Sequence, residues 1–254
     1  MRLLLFVFVS SFGFCVALAN DLSKDYKDCL NRDFDACEIL YKSGTQSVEK
    51  CNKDSCNALG IYLRDTGRDA NSKALALAYL EKSLNLGNDL AYRDLGIYYR
   101  DLGDLKKAKS YYEIGCQKGV YWACYSLGLI YDSKEGDFKN AIKYYSIACD
   151  KGKNHQKSFA CANMGHLYME DRFDKEGQKQ ITQDLQKALK YSEMACKMQD
   201  TIACTNVAQI YEGGGKGVKQ NVKLAKSYYK KICDTGDSRA IEVANACEKL
   251  QSFK

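Results

Sequence analysis

Thirteen cysteines stand among 254 residues, and all but Cys15 lie beyond residue 28. A thiol can hold a metal, attack as a nucleophile, exchange electrons or close a disulfide. Spacing separates these chemistries. Cys29 and Cys37, Cys116 and Cys124, and Cys196 and Cys204 are each eight apart. Cys149 and Cys161 are twelve apart, Cys51 and Cys56 five, and Cys233 and Cys247 fourteen. No Cys-x-x-Cys occurs, so neither a zinc knuckle nor a thioredoxin-type redox pair is indicated. His155 and His166 are the only histidines, too few for a di-zinc hydrolase. No metal and no cofactor are expected.

Serine chemistry is equally thin. The Ser-x-x-Lys of serine β-lactamases occurs at Ser47/Lys50 and at Ser227/Lys230. Seventeen serines and thirty lysines produce about two such pairs by chance. Lys42-Ser43-Gly44 loosely mimics the Lys-Thr-Gly motif, and Ser-Asp-Asn is absent. No catalytic residue is assigned.

The first nineteen residues, MRLLLFVFVSSFGFCVALA, carry Arg2, an apolar run and then Ala17-Leu18-Ala19. That is the pattern of a signal peptide cleaved after Ala19. A retained anchor needs about 20 apolar residues, which this run barely reaches. Lipoprotein attachment through Cys15 is disfavoured by the bulky Phe14. Cleavage removes Cys15 and leaves an even set of twelve, which in an exported chain points to disulfides. The net charge of +6 is spread among mixed Lys, Asp and Glu, with no basic block to mark a nucleic-acid tail.

The elements that position these cysteines repeat. SCNALGIYLRDTG (55–67), AYRDLGIYYRDLG (91–103), ACYSLGLIYDSKEG (123–136), ACANMGHLYMEDR (160–172) and ACTNVAQIYEGGGKG (203–217) align. Residues 56, 92, 124, 161 and 204 recur at intervals of 32 to 43, with Tyr92 in place of one cysteine. The second half of each unit carries Lys-Ala-x-x-Tyr-Tyr and then a cysteine, or Leu84. Ala141, Tyr144 or Tyr145, Ala148 and Cys149 share one face at helical spacing. Asp or Asn before each such helix is an expected N-cap. Each unit therefore reads as helix A, loop, helix B and turn. Gly96, Gly128 and Gly165 lie mid-helix, where glycine costs about 1 kcal/mol. Close packing against helix B, at Ala108, Ala141, Ala188 and Ala225, is the expected compensation. A helix pair cannot bury its own apolar face, but stacked pairs can, so an all-α solenoid follows. It is expected over 20–254, with five to six helix pairs and atypical end units.

The motifs LGxxY, KAxxYYxxAC and EGGGKGVKQN (212–221) resemble Sel-one-like repeats, relatives of the tetratricopeptide repeat. Cysteines eight apart at the joints are similar to those of the secreted Helicobacter cysteine-rich protein family. The resemblance covers about residues 29 to 250. It implies disulfides between helix B of one repeat and helix A of the next, or within a repeat. Sequential pairing gives Cys29–Cys37, Cys51–Cys56, Cys116–Cys124, Cys149–Cys161, Cys196–Cys204 and Cys233–Cys247. The partners of Cys51, Cys56, Cys233 and Cys247 stay open. Ile241, not a cysteine, sits eight after Cys233.

The resemblance also implies export from a Gram-negative bacterium, to the periplasm or beyond. Family members have been named as penicillin-binding proteins and β-lactamases, so weak β-lactam hydrolysis is the alternative function. The preferred expectation is a monomeric scaffold. It would bind a protein, a peptide or a peptidoglycan fragment on a concave helix-A surface, with no nucleic acid and no membrane as partner. Tyr98, Tyr99, Arg100, Tyr121, Trp122 and Asp132 are the candidate ligand contacts. The segment 169–185 is the expected exposed embellishment.

Overall fold

The computed structural model describes residues 24–44, 46–235 and 241–253, so the expected signal peptide lies outside the described residues. The chain divides into two compact units, Met1–Tyr111 and Tyr112–Lys254. In the first, a helical segment over 24–30 precedes α1 (Phe34–Lys42), α2 (Lys53–Thr66), α3 (Ala70–Asn85) and α4 (Leu90–Asp101). The division falls within α5 (Leu105–Gln117). The second unit continues with α6 (Tyr121–Ile130), α7 (Phe138–Lys151), α8 (Asn154–Tyr168), α9 (Leu185–Lys197), α10 (Thr201–Gly213), α11 (Val222–Cys233) and α12 (Ile241–Ser252).

Local sequence fixes the helix starts. The first backbone N–H groups of a helix have no partner within it. Asp69, Asp104, Asp137, Asp184 and Asn221 each accept from the N–H three residues on and so cap α3, α5, α7, α9 and α11. These are the second helices of the repeats, and all five caps stand where the sequence puts them.

Even-numbered helices from α2 onward are the A helices. Each packs on the B helix that follows it: α2 on α3 in the first unit, and α6 on α7, α8 on α9 and α10 on α11 in the second. Successive A helices also touch, α2 with α4, α6 with α8, α8 with α10, and α10 with α12. Ala76, Ala108, Ala141, Ala188 and Ala225 are fully buried, as are Tyr145, Ala148 and Cys149. Tyr144 is half-buried.

The helix-A glycines do meet helix B, but chiefly four residues beyond the expected alanines. A Cβ on Gly128 would strike the Tyr145 ring, one on Gly165 would strike Ser192, and one on Gly60 would strike Leu80. The alanines lie one turn earlier on the same buried face.

Two further details depart from a plain helix-pair pattern. Segment 169–185 holds a small antiparallel hairpin, β1 (Arg172–Phe173) with β2 (Lys179–Ile181). Asp174 turns it by accepting from the N–H groups of Glu176 and Gln178. Helix α6 runs into a π-helical turn, Tyr131–Glu135, which carries Asp132. Among the described residues no helix is long and apolar enough to cross a membrane.

Candidate functional site

All six sequential cysteine pairs lie at disulfide distance, with Cα–Cα separations from 4.6 to 5.3 Å. Five of them join a helix to the next. Cys29–Cys37 links the 24–30 segment to α1, Cys116–Cys124 links α5 to α6, and Cys149–Cys161 links α7 to α8. Cys196–Cys204 links α9 to α10, and Cys233–Cys247 links α11 to α12. Cys51 stands before α2 and pairs with Cys56 in its first turns. The pairs left open by spacing are thus placed locally. Among the described residues no three His, Cys, Asp or Glu side chains gather as a metal site.

At the α5–α6 joint the reason for local pairing is visible. Gly119 takes φ 84, and its N–H donates to the Cys116 carbonyl while that of Val120 donates to Gly115. This left-handed stop folds the chain back at once, which brings the last turn of α5 beside the first of α6. The two cysteines face each other across it.

The six candidate contacts divide between the units. Tyr98 is buried, and its hydroxyl donates to the Lys73 carbonyl at 3.1 Å, so it packs the core. Tyr99 is half-buried, stacked on Tyr111 at 5.4 Å with Lys107 over its ring. Arg100 is exposed and pairs with Asp101. In the second unit, Tyr121 is half-buried beside the α5–α6 joint. Asp132 accepts from the Tyr145 hydroxyl at 3.2 Å. Burial holds the Asp132 carboxyl above the usual range, against the pull of Tyr145, His166 and Arg172. Burial, helped by Arg172, lowers His166.

Trp122 is half-buried and stands in an aromatic cluster. Its ring lies 5.8 Å from Tyr125 and 6.1 Å from Phe159, and Tyr125 lies 6.0 Å from Phe159. His155 stacks on Phe159 at 6.0 Å. Phe159 is 40% exposed. Part of the Phe159 ring is thus open beside Trp122 and Tyr125, on the joined faces of α6 and α8. Burial pushes the Tyr125 hydroxyl up, and Asn163 hydrogen-bonds to it. Tyr125, His155 and Phe159 were not singled out by the sequence. Their one signal is the position just ahead of and within the Ala-Cys-x-x-Leu-Gly core.

The two Ser-x-x-Lys pairs stand in a helix and in a turn. Ser227 is exposed, its hydroxyl donates to the Leu224 carbonyl at 2.7 Å, and Lys230 is drawn to Asp234. Ser47 and Lys50 lie in a turn where the Ser47 carbonyl accepts from the Lys50 and Cys51 N–H groups. In neither place does a lysine amine reach a serine hydroxyl.

The Sel1 repeat family matches five stretches of the chain, 53–88, 90–120, 123–153, 158–200 and 201–237. Cytochrome c oxidase assembly factor 7 of Xenopus tropicalis is 30% identical over 218 residues, covering 81% of this chain and 90% of that protein. Cytochrome c oxidase assembly factor 7A of Xenopus laevis is 28% identical over 203 residues, 75% of this chain and 84% of that protein. A Sel1 repeat protein from Oxalobacter formigenes shares the fold, with a TM-score of 0.60 at 19% identity over 88% of this chain. This chain spans 60% of that protein's length. The five matched stretches take in more than half of the chain and follow its helix pairs, and the chain belongs to the Sel1 repeat family.

Proposed function

We propose that the chain is an exported, disulfide-held scaffold that binds an extended segment of a partner protein through the A-helix face of its second unit. The observation that carries this is the cluster of Trp122, Tyr125 and Phe159, with Phe159 40% exposed on consecutive A helices. Aromatic side chains lose little conformational entropy when a partner covers them, which is why they serve as anchors. Sel1 repeats are interaction modules, and the two frog relatives are by name assembly factors, which fits a scaffold.

Export rests on the N-terminal Arg2, apolar run and Ala17-Leu18-Ala19, and on the paired cysteines, which persist in oxidising compartments such as the periplasm. The finer resemblance to the Helicobacter cysteine-rich family rests on the eight-residue cysteine spacing. A β-lactam hydrolase is not favoured, because Ser47 and Ser227 lack an adjoining lysine amine.

Selection of random peptides displayed on phage tests the reading. Peptides with aromatic or aliphatic anchors are expected, and Phe159→Ser is expected to weaken them at least tenfold with the far-UV spectrum unchanged. Equal binding by Phe159→Ser, or failure to select any peptide, would discard the second-unit surface.

A further inference from the structure

The six bridges are not chemically alike. In five, the first cysteine stands in the last turn of a helix: Cys29 of the 24–30 segment, Cys116 of α5, Cys149 of α7, Cys196 of α9 and Cys233 of α11. The last turn of a helix carries partial negative charge on its free carbonyls, which opposes a thiolate. At three of these joints the second sulfur also faces such an oxygen. Cys37 Sγ lies 3.5 Å from the Cys29 carbonyl, Cys161 Sγ 3.8 Å from that of Cys149, and Cys204 Sγ 3.6 Å from that of Cys196. Opening such a bridge leaves a sulfur anion against an acceptor and unties two helices.

Cys51–Cys56 differs in both respects. Cys51 comes directly before Asn52, the N-cap of α2, and Cys56 is the fourth residue of that helix. Cys37, Cys124 and Cys204 hold the same place in their helices, but each is bridged to a helix end. Here both cysteines belong to the positive end of one helix, which favours a thiolate. Helix side chains lean toward the N-terminus, which carries Cys56 Sγ back over the first turn. Cys51 Sγ lies 3.6 Å from the Val48 carbonyl, so of the two sulfurs Cys56 is the better leaving thiolate. The bridge also spans the shortest separation of the six, five residues, and so restrains the unfolded chain least.

The segment ahead of α2 is held by other bonds. Asn52 Oδ1 accepts from the N–H groups of Asp54 and Ser55, and Asn52 Nδ2 donates to the Tyr26 hydroxyl at 2.7 Å. The Ser55 hydroxyl donates to Gln46 Oε1 at 2.8 Å, and the Tyr79 hydroxyl of α3 donates to the Gln46 carbonyl at 3.1 Å. These bonds keep Cys51 beside Cys56 whether or not the sulfurs are joined. Exposure does not order the bridges, since Cys116 is 8% exposed and Cys51 5%. It does decide which end of this bridge an outside thiol meets: Cys56 is fully buried, so that end is Cys51.

We propose that Cys51–Cys56 is a thiol-exchange site, which takes a small thiol as a mixed disulfide on Cys51 while the five joint bridges stay closed. The thiolate of the small thiol attacks Cys51 Sγ. A new S–S bond forms there, the Cys51–Cys56 bond breaks, and its electron pair leaves on Cys56. A second thiolate attacks the sulfur of the bound small thiol, which departs as its own disulfide and leaves Cys51 as a thiolate. Two small thiols are oxidised and one protein disulfide is reduced. The two protons lost by the thiols end on Cys51 and Cys56. The site lies in the first unit and does not rest on the second-unit surface.

Equilibration of the full oxidised protein in glutathione buffers, graded from oxidising to reducing, tests this. Acid quenching, alkylation with N-ethylmaleimide and peptide mass spectrometry then report each cysteine separately. Cys51 and Cys56 are expected to become alkylated in buffer at least tenfold less reducing than any other pair needs, with the far-UV spectrum unchanged. Glutathione is expected on Cys51 and not on Cys56, and Cys56→Ser is expected to retain it. The strongest rival is Cys196–Cys204, because Lys231 Nζ lies 3.9 Å from Cys196 Sγ and would steady its thiolate. Earlier opening there or at any other joint, or opening of all six together, would overturn the site. Glutathione on Cys56 would overturn the direction of attack. Cys51→Ser with Cys56→Ser is expected to lower Tm less than Cys116→Ala with Cys124→Ala, and a larger fall would show the bridge to be a staple like the rest. Phe159→Ser is expected to exchange normally, so failure here and failure of the second-unit surface are told apart.

Discussion

The joint between α5 and α6 and the joint between α3 and α4 have the same backbone and different fastenings. Gly119 and Gly87 take φ 84 and 86. Val120 donates to the Gly115 carbonyl, and Asn88 donates to Ser83. At the first joint Cys116 and Cys124 close a bridge. At the second, Leu84 and Tyr92 stand in their places, and the fastening is polar. Ser83 Oγ donates to the Lys53 carbonyl at 2.6 Å, and Asn88 Nδ2 donates to the same oxygen at 3.2 Å. Both side chains are buried. They tie the joint back to the first turn of α2, in the preceding helix pair. The α9–α10 joint has some of each: the Cys196–Cys204 bridge, and Asp200 accepting from Ser158 of α8 at 3.4 Å. The turn is thus set by backbone chemistry, and the staple is one of two ways to hold it.

The largest effect should come from removing a staple. A bridge closing an eight-residue step stabilises by about 2.5 kcal/mol when its loop entropy dominates. Cys116→Ala with Cys124→Ala is expected to lose about that much in urea unfolding. Hydrogen exchange should show faster amides around the α5–α6 joint, with those of α3 and α4 still protected. Equal loss of protection in α3 and α4 would mean the staple acts on the whole chain, and the contrast between joints would fall.

The polar fastening is weaker. Ser83→Ala removes one buried donor and leaves Asn88 to satisfy Lys53, so a loss of about 1 kcal/mol is expected. Adding Asn88→Ala removes the second side-chain donor and leaves the Lys53 carbonyl to its intrahelical bond, so the double change should cost about 2 kcal/mol. A smaller change should come from moving the staple. Leu84→Cys with Tyr92→Cys is expected to close a bridge, seen as two thiols that alkylate only after reduction. The net gain should stay near 1 kcal/mol, because packing by Leu84 and Tyr92 is lost. Failure to close would show that the two joints differ in backbone after all.

Much of this was legible in the sequence, for a physical reason. Helix length, caps and turns are local properties, so Asp69, Asp104, Asp137, Asp184 and Asn221 announce their helices directly. The repeat then multiplies each signal five times. What escaped was short or spread out. Strands of two and three residues, Arg172–Phe173 and Lys179–Ile181, are too brief for alternation to show. Tyr98 lies next to Tyr99 in sequence, yet one turns into the core and the other stacks on its edge. The ion-pair cluster around Asp94 draws on two successive A helices, with Arg93, Asn57 and Arg64 donating to it at 2.7, 3.1 and 3.4 Å. Arg64 and Arg93 look like ordinary helix-surface residues until Asp94 is seen between them. Its only trace is a charged residue at the position where other repeats carry Ala58, Ser126, Asn163 or Asn206.

The smallest effect isolates the turn from its fastening. After Cys196 the left-handed position holds Gln199, at φ 67, where the α3–α4 and α5–α6 joints hold Gly87 and Gly119. Gln199 is exposed, and its N–H donates to the Cys196 carbonyl whatever the side chain. Gln199→Gly removes a conformational penalty of about 1–2 kcal/mol and adds back roughly 0.5–1 kcal/mol of unfolded-state freedom. A gain of about 0.5 kcal/mol is therefore expected by denaturant unfolding. With Cys196–Cys204 intact, the unfolded chain is already restrained at this turn, so the added freedom is partly suppressed. The gain should be larger in the oxidised protein than in the Cys196→Ala, Cys204→Ala variant. If the order is reversed, staple and turn oppose each other, and the backbone does not set the joint on its own.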